Sequence, residues 1–218
     1  MHKNIDNLEG IKNKLKKFKI DISKTPKIIA VSKTFSTDNI LPLVEYGHDH
    51  FGENKVQEAL EKWPKIKENY PNLKLHMLGK IQSNKVKFLL PLFDYLHSLD
   101  SIKIAEKISL EEKKNNKKLK IFIQINIGNE PQKSGINIED LDEFYFTCVN
   151  EYNLNIVGLM CLPPSSNDPK EYFILLKEIS EKLNLKELSM GMSNDYLDAV
   201  QCGATYLRIG SKIFGERN

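Results

Sequence analysis

The chain has 218 residues, of which 28% are charged and 40% hydrophobic, and its formal net charge is +3 at pH 7. These values are typical of a soluble globular protein that is long enough to bury a sizeable core. No apolar run is long enough to cross a bilayer, and the N-terminus lacks the hydrophobic segment of a secretory signal.

Eight short apolar segments are predicted to be β-strands, and most are separated by amphipathic segments with helical periodicity. The predicted strands are 27–33, 49–53, 73–79, 94–100, 120–127, 154–162, 187–192 and 206–210. The predicted helices include 37–47, 84–93, 101–115, 138–152 and 168–183, and a further helix at 5–18 precedes the first strand. Strands that alternate with helices indicate parallel pairing.

Eight βα units predict an α/β fold, a (β/α)₈ TIM-type barrel with an extra N-terminal helix. No Pro/Gly/Ser-rich linker divides the chain, so we expect one domain over residues 1–218. The alternative is an open doubly wound sheet. Active sites of such barrels lie at the carboxyl ends of the strands, where several polar side chains are expected. These are Lys33, Glu53, Asn54, Gln124, Asn126 and Arg208.

Lys33 ends the first predicted strand. Ile29, Val31 and Lys33 share one face by the two-residue period, so the lysine points toward the barrel interior. One interpretation is a lysine that extends its ammonium group into solvent from the strand end. The other is a partly desolvated amine at the barrel mouth, with a lowered pKa, which forms a Schiff base with a carbonyl.

The last two strands carry features of a phosphate site. Ser193 follows strand seven and is predicted to be a helix N-cap, with Gly203 as the stop of that helix. Gly210 and Ser211 follow strand eight. The loops after strands seven and eight are the frequent phosphate site of these barrels. Together with a reactive lysine, they indicate a phosphorylated aldehyde as the ligand.

Two other features receive plainer interpretations. The segment His48-Asp49-His50 has the spacing of an HxH metal site, but it begins strand two at the barrel bottom, so we expect structural histidines and no metal site. The lysine-rich runs 11–19 and 111–120 lack interleaved aromatic residues, so we expect no nucleic-acid binding. Three scattered cysteines, Cys148, Cys161 and Cys202, indicate a reducing, cytoplasmic compartment.

Several segments in this order carry a family resemblance: AVSKT, FGENKVQE, HMLGKIQSNK, QINIGNEPQKSG, VGLMCLPP and LSMGMSNDYLDAVQCGATYLRIGSKIFGER. They resemble the pyridoxal phosphate homeostasis proteins of the YggS/PROSC type over nearly the whole chain. The resemblance implies a barrel similar to the N-terminal domain of alanine racemase.

By resemblance, Lys33 carries pyridoxal 5′-phosphate (PLP) as a Schiff base. Ser193, Gly210 and Ser211 hold the phosphate, and Arg208 faces the pyridine nitrogen. Asn54 and His76 line the pocket and Met160 packs near the ring, while Lys133 matches a family lysine near the mouth. Three departures from the family pattern are Ser211 in place of threonine, SND in place of SDD, and the loop GNEPQKSG.

The resemblance implies a PLP carrier and buffer without turnover, so no catalytic residue is assigned. Other vitamin B6 forms and transient contacts with apo-PLP enzymes are expected partners, and the protein is expected to be a monomer. A racemase-like enzyme for amino acids is the alternative, and it needs a second acid or base such as Tyr46, Tyr196 or Tyr206. A barrel enzyme that acts on sugar phosphates through Lys33 is a third possibility.

Overall fold

The computed structural model describes residues 2–18, 25–164 and 168–216. In this part of the chain, parallel strands close into a barrel in chain order, and the last strand pairs with the first. The strands are β1 (Lys27–Val31), β2 (His50–Glu53), β3 (Lys74–Met77), β4 (Tyr95–Leu99), β5 (Lys120–Ile125), β6 (Ile156–Cys161), β7 (Glu187–Ser189) and β8 (Tyr206–Ile209). The predicted eight-stranded barrel is confirmed, and the open sheet is wrong because β1 and β8 are hydrogen-bonded neighbours.

Helices surround the barrel. They are α1 (Lys3–Lys17), α2 (Thr37–Glu45), α3 (Val56–Asn69), α4 (Leu89–Leu92), α5 (Ile102–Asn115), α6 (Leu141–Phe146), α7 (Pro169–Lys182), α8 (Tyr196–Gln201) and α9 (Ser211–Phe214). A 3₁₀ segment, Ser83–Phe88, precedes α4, and a π-helical segment, Thr147–Glu151, follows α6. No helix in the described residues is long and apolar enough to span a membrane.

The extra N-terminal helix is confirmed, and polar contacts fix it to α2 and α9. Asn4 donates from its amide to the Asn39 carbonyl oxygen, and Asn7 donates to the Ile213 carbonyl oxygen, both at 2.9 Å. The buried face of α1 contains Ile5, Leu8, Ile11 and Leu15, at the three- and four-residue spacing of an amphipathic helix. This helix therefore bridges the elements that follow β1 and β8.

The apolar core has two layers because side chains of a strand alternate between the two faces of the sheet. The larger layer lies between the strands and the helices. The smaller one fills the barrel interior and contains Ile29, Val31, Tyr95, Phe122, Met160 and Tyr206. Ile29 and Val31 share the inward face, as their alternation predicted. The interior is thus packed at its floor, and a cavity lies at its carboxyl end.

Candidate functional site

A cavity of about 720 Å³ opens at the carboxyl ends of the strands. Its wall comes from the ends of β1, β2, β6 and β8 and from the segments after β7 and β8. The structure brings seven of the predicted site residues together there: Lys33, Asn54, Met160, Ser193, Arg208, Gly210 and Ser211. The eighth, His76, is not among the lining residues.

Lys33 reaches the cavity from a turn and not from a strand. Strand β1 ends at Val31, two residues earlier than predicted. The backbone N–H of Phe35 donates to the carbonyl oxygen of Ser32 at 3.1 Å, which closes a turn around Lys33. The side chain is half-buried and lines the cavity beside Val31 and Asn54. The lysine therefore faces a concave site instead of open solvent.

Arg208 of β8 is a buried cation on the cavity wall, with only 6% of its surface exposed. It donates to the Ser189 hydroxyl oxygen at 2.7 Å and to the Cys161 carbonyl oxygen at 2.8 Å. Both partners are neutral, and within the described residues no carboxylate forms an ion pair with Arg208. Burial lowers the pKa of its guanidinium, although arginine stays protonated in proteins.

A chain of hydrogen bonds runs from Arg208 down the barrel interior. Ser189 Oγ lies 2.7 Å from His97 Nδ1, His97 Nε2 lies 2.8 Å from His76 Nδ1, and His76 Nε2 lies 2.8 Å from His50 Nδ1. Arginine can only donate, so the Ser189 hydroxyl hydrogen is free to point to His97. Each neutral imidazole then donates to the next, and every buried donor between Arg208 and His50 has an acceptor.

His76, which was expected to line the pocket, lies in the barrel interior, where its side chain belongs to this series of hydrogen bonds. His76 is fully buried and stacks on the Tyr95 ring, with 4.2 Å between ring centroids. Burial lowers the pKa of both His76 and His97 well below the usual range, and the charge of Arg208 lowers that of His97 further. Sequence reasoning did not single out His97 or Ser189, which complete the chain.

Ser193 has a different local role from the predicted one. Helix α8 begins after Asp195, so Ser193 is not its N-cap. Instead its hydroxyl oxygen accepts from the backbone N–H of Lys212 at 3.3 Å, in the segment after β8. The predicted stop is correct, because Gly203 follows α8 with φ of 95°. Ser193 thus joins the two loops from which Gly210 and Ser211 also face the cavity.

Asn54 and Met160 form opposite parts of the wall. Met160 is 1% exposed and belongs to the interior cluster, so it closes the floor of the cavity. The segment at Asn54 lies against Gly79, where a Cβ atom would meet the Asn54 carbonyl oxygen at 2.2 Å. Only glycine fits that approach, so the loop after β3 fixes the backbone of Asn54.

Three other polar residues expected at the mouth do not line the cavity. Glu53 faces α3, where it accepts from the Trp63 indole N–H at 3.0 Å, because it alternates with the inward-facing His50. Gln124 donates to the Ser134 carbonyl oxygen at 3.0 Å, and Asn126 donates to that of Glu130 at the same distance. The last two amides hold the loop after β5.

The two histidines of the HxH segment separate in space. His50 joins the interior chain, whereas His48 precedes β2 and packs edge-on against Phe51, with centroids 5.1 Å apart. Burial lowers the pKa of His48 to about 4. Across the described ranges, no group of three or more potential metal ligands is present.

The residues at the cavity fit a phosphorylated aldehyde. The buried charge of Arg208 has only neutral partners, and a negatively charged ligand would compensate it. Two acidic residues of the wall have partners within the protein: Asp198 pairs with Lys170 at 3.2 Å, and Asp195 accepts from the Met192 N–H at 2.6 Å. The volume is within the range of small-molecule sites.

Comparisons with known proteins give similarity to one family. A family model described as the N-terminal domain of alanine racemase matches residues 7–218. The pyridoxal phosphate homeostasis protein of Haemophilus influenzae is 38% identical over 204 residues, which cover 89% of this chain and 86% of that protein. The human protein of the same name is 39% identical over 215 residues, which cover 88% of this chain and 77% of that protein.

A solved structure supports the same relation. PipY of Synechococcus elongatus with PLP bound is 31% identical and superimposes with a TM-score of 0.85. The match covers 97% of this chain and 100% of that chain. The similarity therefore extends over the whole barrel and includes the elements that form the cavity.

Proposed function

The chain belongs to the pyridoxal phosphate homeostasis protein family, and we propose that it binds PLP reversibly and serves as a carrier and buffer of this cofactor. The observation that carries the proposal is that Lys33 and the buried Arg208, whose hydrogen-bond partners are neutral, face one cavity with Ser193 and Ser211. The proposal is also supported by the PLP bound to PipY, a similar barrel.

We assign a role to each lining residue. Lys33 is the covalent anchor, and the hydroxyls of Ser193 and Ser211 with the Gly210 segment hold the phosphate. When bound, PLP supplies an aldehyde whose carbon forms a C=N bond with a neutral amine, and one water is released. Asn54 would line the cofactor pocket, and Met160 would pack near the ring. Because His76 lies in the sealed interior, it has no direct contact in this assignment.

Arg208 is assigned to the pyridine nitrogen. Its guanidinium can donate but cannot accept, so it keeps that nitrogen unprotonated. An unprotonated ring withdraws electrons less strongly, which disfavours carbanion chemistry. The neutral chain from Ser189 to His50 offers Arg208 no carboxylate that would change this preference. This arrangement alone still permits racemisation, as in alanine racemase, so the case against turnover also depends on a second acid or base.

The racemase-like alternative needs a second acid or base at the cavity. None of the three tyrosines considered for this role lines it. Tyr206 lies in the barrel interior and accepts from Lys27 at 3.0 Å. Tyr196 is buried at the start of α8, and Tyr46 is exposed at the end of α2. We therefore propose binding without turnover.

The wider role includes release of PLP to apo-enzymes, from a monomer in the cytoplasm. The half-open cavity is consistent with release, and the relatives' name supports a role in homeostasis. Cys148, Cys161 and Cys202 are buried free thiols, as expected for a reducing compartment. Burial raises the pKa of Cys148 and Cys161 to about 12, so neither is a reactive thiolate at neutral pH.

The test is borohydride reduction of the protein mixed with PLP, followed by peptide mapping. We expect one pyridoxyl adduct at Lys33 and its loss in Lys33→Ala. Lys133→Ala is the matched control, because Lys133 lies near the mouth but pairs with Glu130 and does not line the cavity. An adduct that forms equally in Lys33→Ala would overturn the proposal. A yellow protein as purified would disfavour a sugar-phosphate enzyme.

A further inference from the structure

The turn that presents Lys33 has an unfavourable backbone. The bond from Phe35 N–H to the Ser32 carbonyl makes Lys33 and Thr34 the two central residues of a β-turn. Thr34 has φ of 68°. A positive φ at the second central position is the requirement of a type II turn, where glycine or asparagine is usual. A β-branched residue in this region is an outlier, so surrounding contacts must hold it.

Two residues one turn apart on α3 supply such contacts. Lys62 Nζ donates to the Ser32 carbonyl oxygen at 3.1 Å and to the Phe35 carbonyl oxygen at 3.3 Å. Glu58 accepts from the backbone N–H of Thr34 and pairs with Lys62 at 2.8 Å. The two side chains therefore bind the backbone on both sides of Lys33.

Glu53 of β2 supports the same contacts from below. It is fully buried, accepts from the Ser32 hydroxyl at 2.8 Å and forms an ion pair with Lys62 Nζ at 2.8 Å. The side chain of Lys62 is only 10% exposed, so it is held in place and shielded from water. Charge-assisted hydrogen bonds in such a setting are the stronger ones.

We propose that Glu53, Glu58 and Lys62, here called the turn clamp, are positioning residues that hold the strained turn and so aim the Lys33 amine into the cavity. The clamp acts on the backbone and does not touch the ligand. Its consequence for PLP rests on the proposed function, whereas its effect on the turn does not.

A rival explanation is that these residues only fasten α3 to the barrel. The two explanations differ at Thr34. Glycine adopts positive φ without a steric cost, so a turn with glycine in place of Thr34 needs no clamp. Replacing Thr34 should therefore repair the turn in a chain that lacks Lys62, but it cannot repair a loose α3.

The test compares Lys62→Met, Thr34→Gly and the double variant with the unaltered protein. Met removes the ammonium donors and keeps most of the apolar stem. The first readout is hydrogen exchange of the Phe35 amide without PLP, and the second is the initial rate of borohydride trapping of PLP at Lys33. In Lys62→Met we expect faster exchange and trapping slower by about tenfold, the size of a lost charged hydrogen bond. Thr34→Gly should restore both.

Each outcome decides the proposal. An unchanged Phe35 amide in Lys62→Met, or a double variant no better than Lys62→Met, overturns it. If Lys62→Met does not fold, Glu58→Gln replaces it, because the Glu58 side chain is 24% exposed and glutamine keeps its shape. If the unaltered protein shows no adduct at Lys33, the proposed function fails, and the Phe35 exchange rates still decide the clamp.

Discussion

The two ends of the barrel interior use the same inward-facing positions in opposite ways. At the amino end, Tyr95, Tyr206 and His50 fill the space, and Lys27 and Lys120 donate to the tyrosine hydroxyls at 3.0 and 3.3 Å. At the carboxyl end, Lys33 and Arg208 border a cavity. The closed end satisfies the tyrosine hydroxyls internally, whereas at the open end the hydrogen-bond partners of the buried Arg208 are both neutral.

The comparison shows how a packed barrel can hold the buried guanidinium of Arg208 at a ligand site. A buried cation without an ion-pair partner is costly in free energy. Hydrogen-bond acceptors whose dipoles point their negative ends at the cation reduce that cost. Ser189 and the three imidazoles of the interior chain supply acceptors in one direction, from Arg208 toward His50. The closed end is therefore part of what holds Arg208 in place at the open end.

The largest predicted effect is acid lability caused by the buried histidines, which are His76 and His97 of the interior hydrogen-bond chain and His48 in the outer layer beside Phe51. His48, His76 and His97 have lowered pKa values in the fold, so the unfolded chain takes up protons first as the pH falls below 6.5. Stability is then present above this pH and is lost below it. From about pH 7 to about pH 5 we expect a loss of about 4 kcal/mol in unfolding free energy.

Urea unfolding at the two pH values checks this loss. The raised pKa of Glu53 opposes it in part, because the folded state binds that proton first. His48→Gln should reduce the pH dependence by about 2 kcal/mol, since one buried neutral histidine is removed. An unfolding free energy that stays constant over this pH range would show that the buried histidines can become charged in the folded state. The contrast between a closed neutral end and an open charged end of the barrel would then disappear.

Arg208→Met should lower the affinity for PLP by about 100-fold, because a charged hydrogen bond and a compensating charge are both lost. The stability of the ligand-free protein should change by no more than about 1 kcal/mol, since an uncompensated buried charge is removed with its hydrogen bonds. Equilibrium titration with PLP and urea unfolding give the two values. Unchanged affinity would remove Arg208 from the binding site.

Ser189→Ala interrupts the interior hydrogen-bond chain between Arg208, at the open end of the barrel, and His97. It leaves an N–H of Arg208 and Nδ1 of His97 without their partner, so we expect a loss of about 2 to 3 kcal/mol in unfolding free energy. Ser98→Ala is the matched control, because the equally buried Ser98 makes one bond, to the Gly79 carbonyl, and should cost about 1 kcal/mol. Equal losses of unfolding free energy in the two variants would show that Ser189 does not link Arg208 to His97.

Ser193→Ala should have the smallest effect and should act only at the open end. The hydroxyl accepts one long bond from Lys212 N–H, at 3.3 Å, so stability should fall by less than about 1 kcal/mol. The affinity for PLP should fall by about tenfold if the hydroxyl contacts the phosphate. A titration in which Ser193→Ala binds as tightly as the unaltered protein would place the phosphate elsewhere.

Much of the fold could be predicted from the sequence because local signals agree with it. Every predicted strand contains the strand that the structure forms, and alternation assigned Ile29 and Val31 to the interior. Lys33 does line the cavity, but not as part of a strand, because β1 ends at Val31 and the side chain leaves from the turn that contains Thr34. The two-residue alternation of side chains predicts their direction only within the strand, not after it ends.

The parts of the site that could not be predicted depend on contacts between distant strands. The chain from Arg208 to His50 requires β2, β3, β4, β7 and β8 to place side chains at matching heights, which no local pattern reports. The clamp left one local signal, the Glu58–Lys62 spacing of a helical ion pair. That signal is common on exposed helix faces, so it did not identify the backbone of Lys33 as a partner.

The central claim is that the open end binds PLP through Lys33 at one side and Arg208 at the other. A crystal structure of the protein grown with PLP tests it most directly. We expect continuous density from Lys33 Nζ to the cofactor, the pyridine nitrogen within hydrogen-bond distance of Arg208, and the phosphate between Ser193 and Ser211. Density that joins another lysine, or a ring nitrogen that faces a carboxylate, would contradict the account.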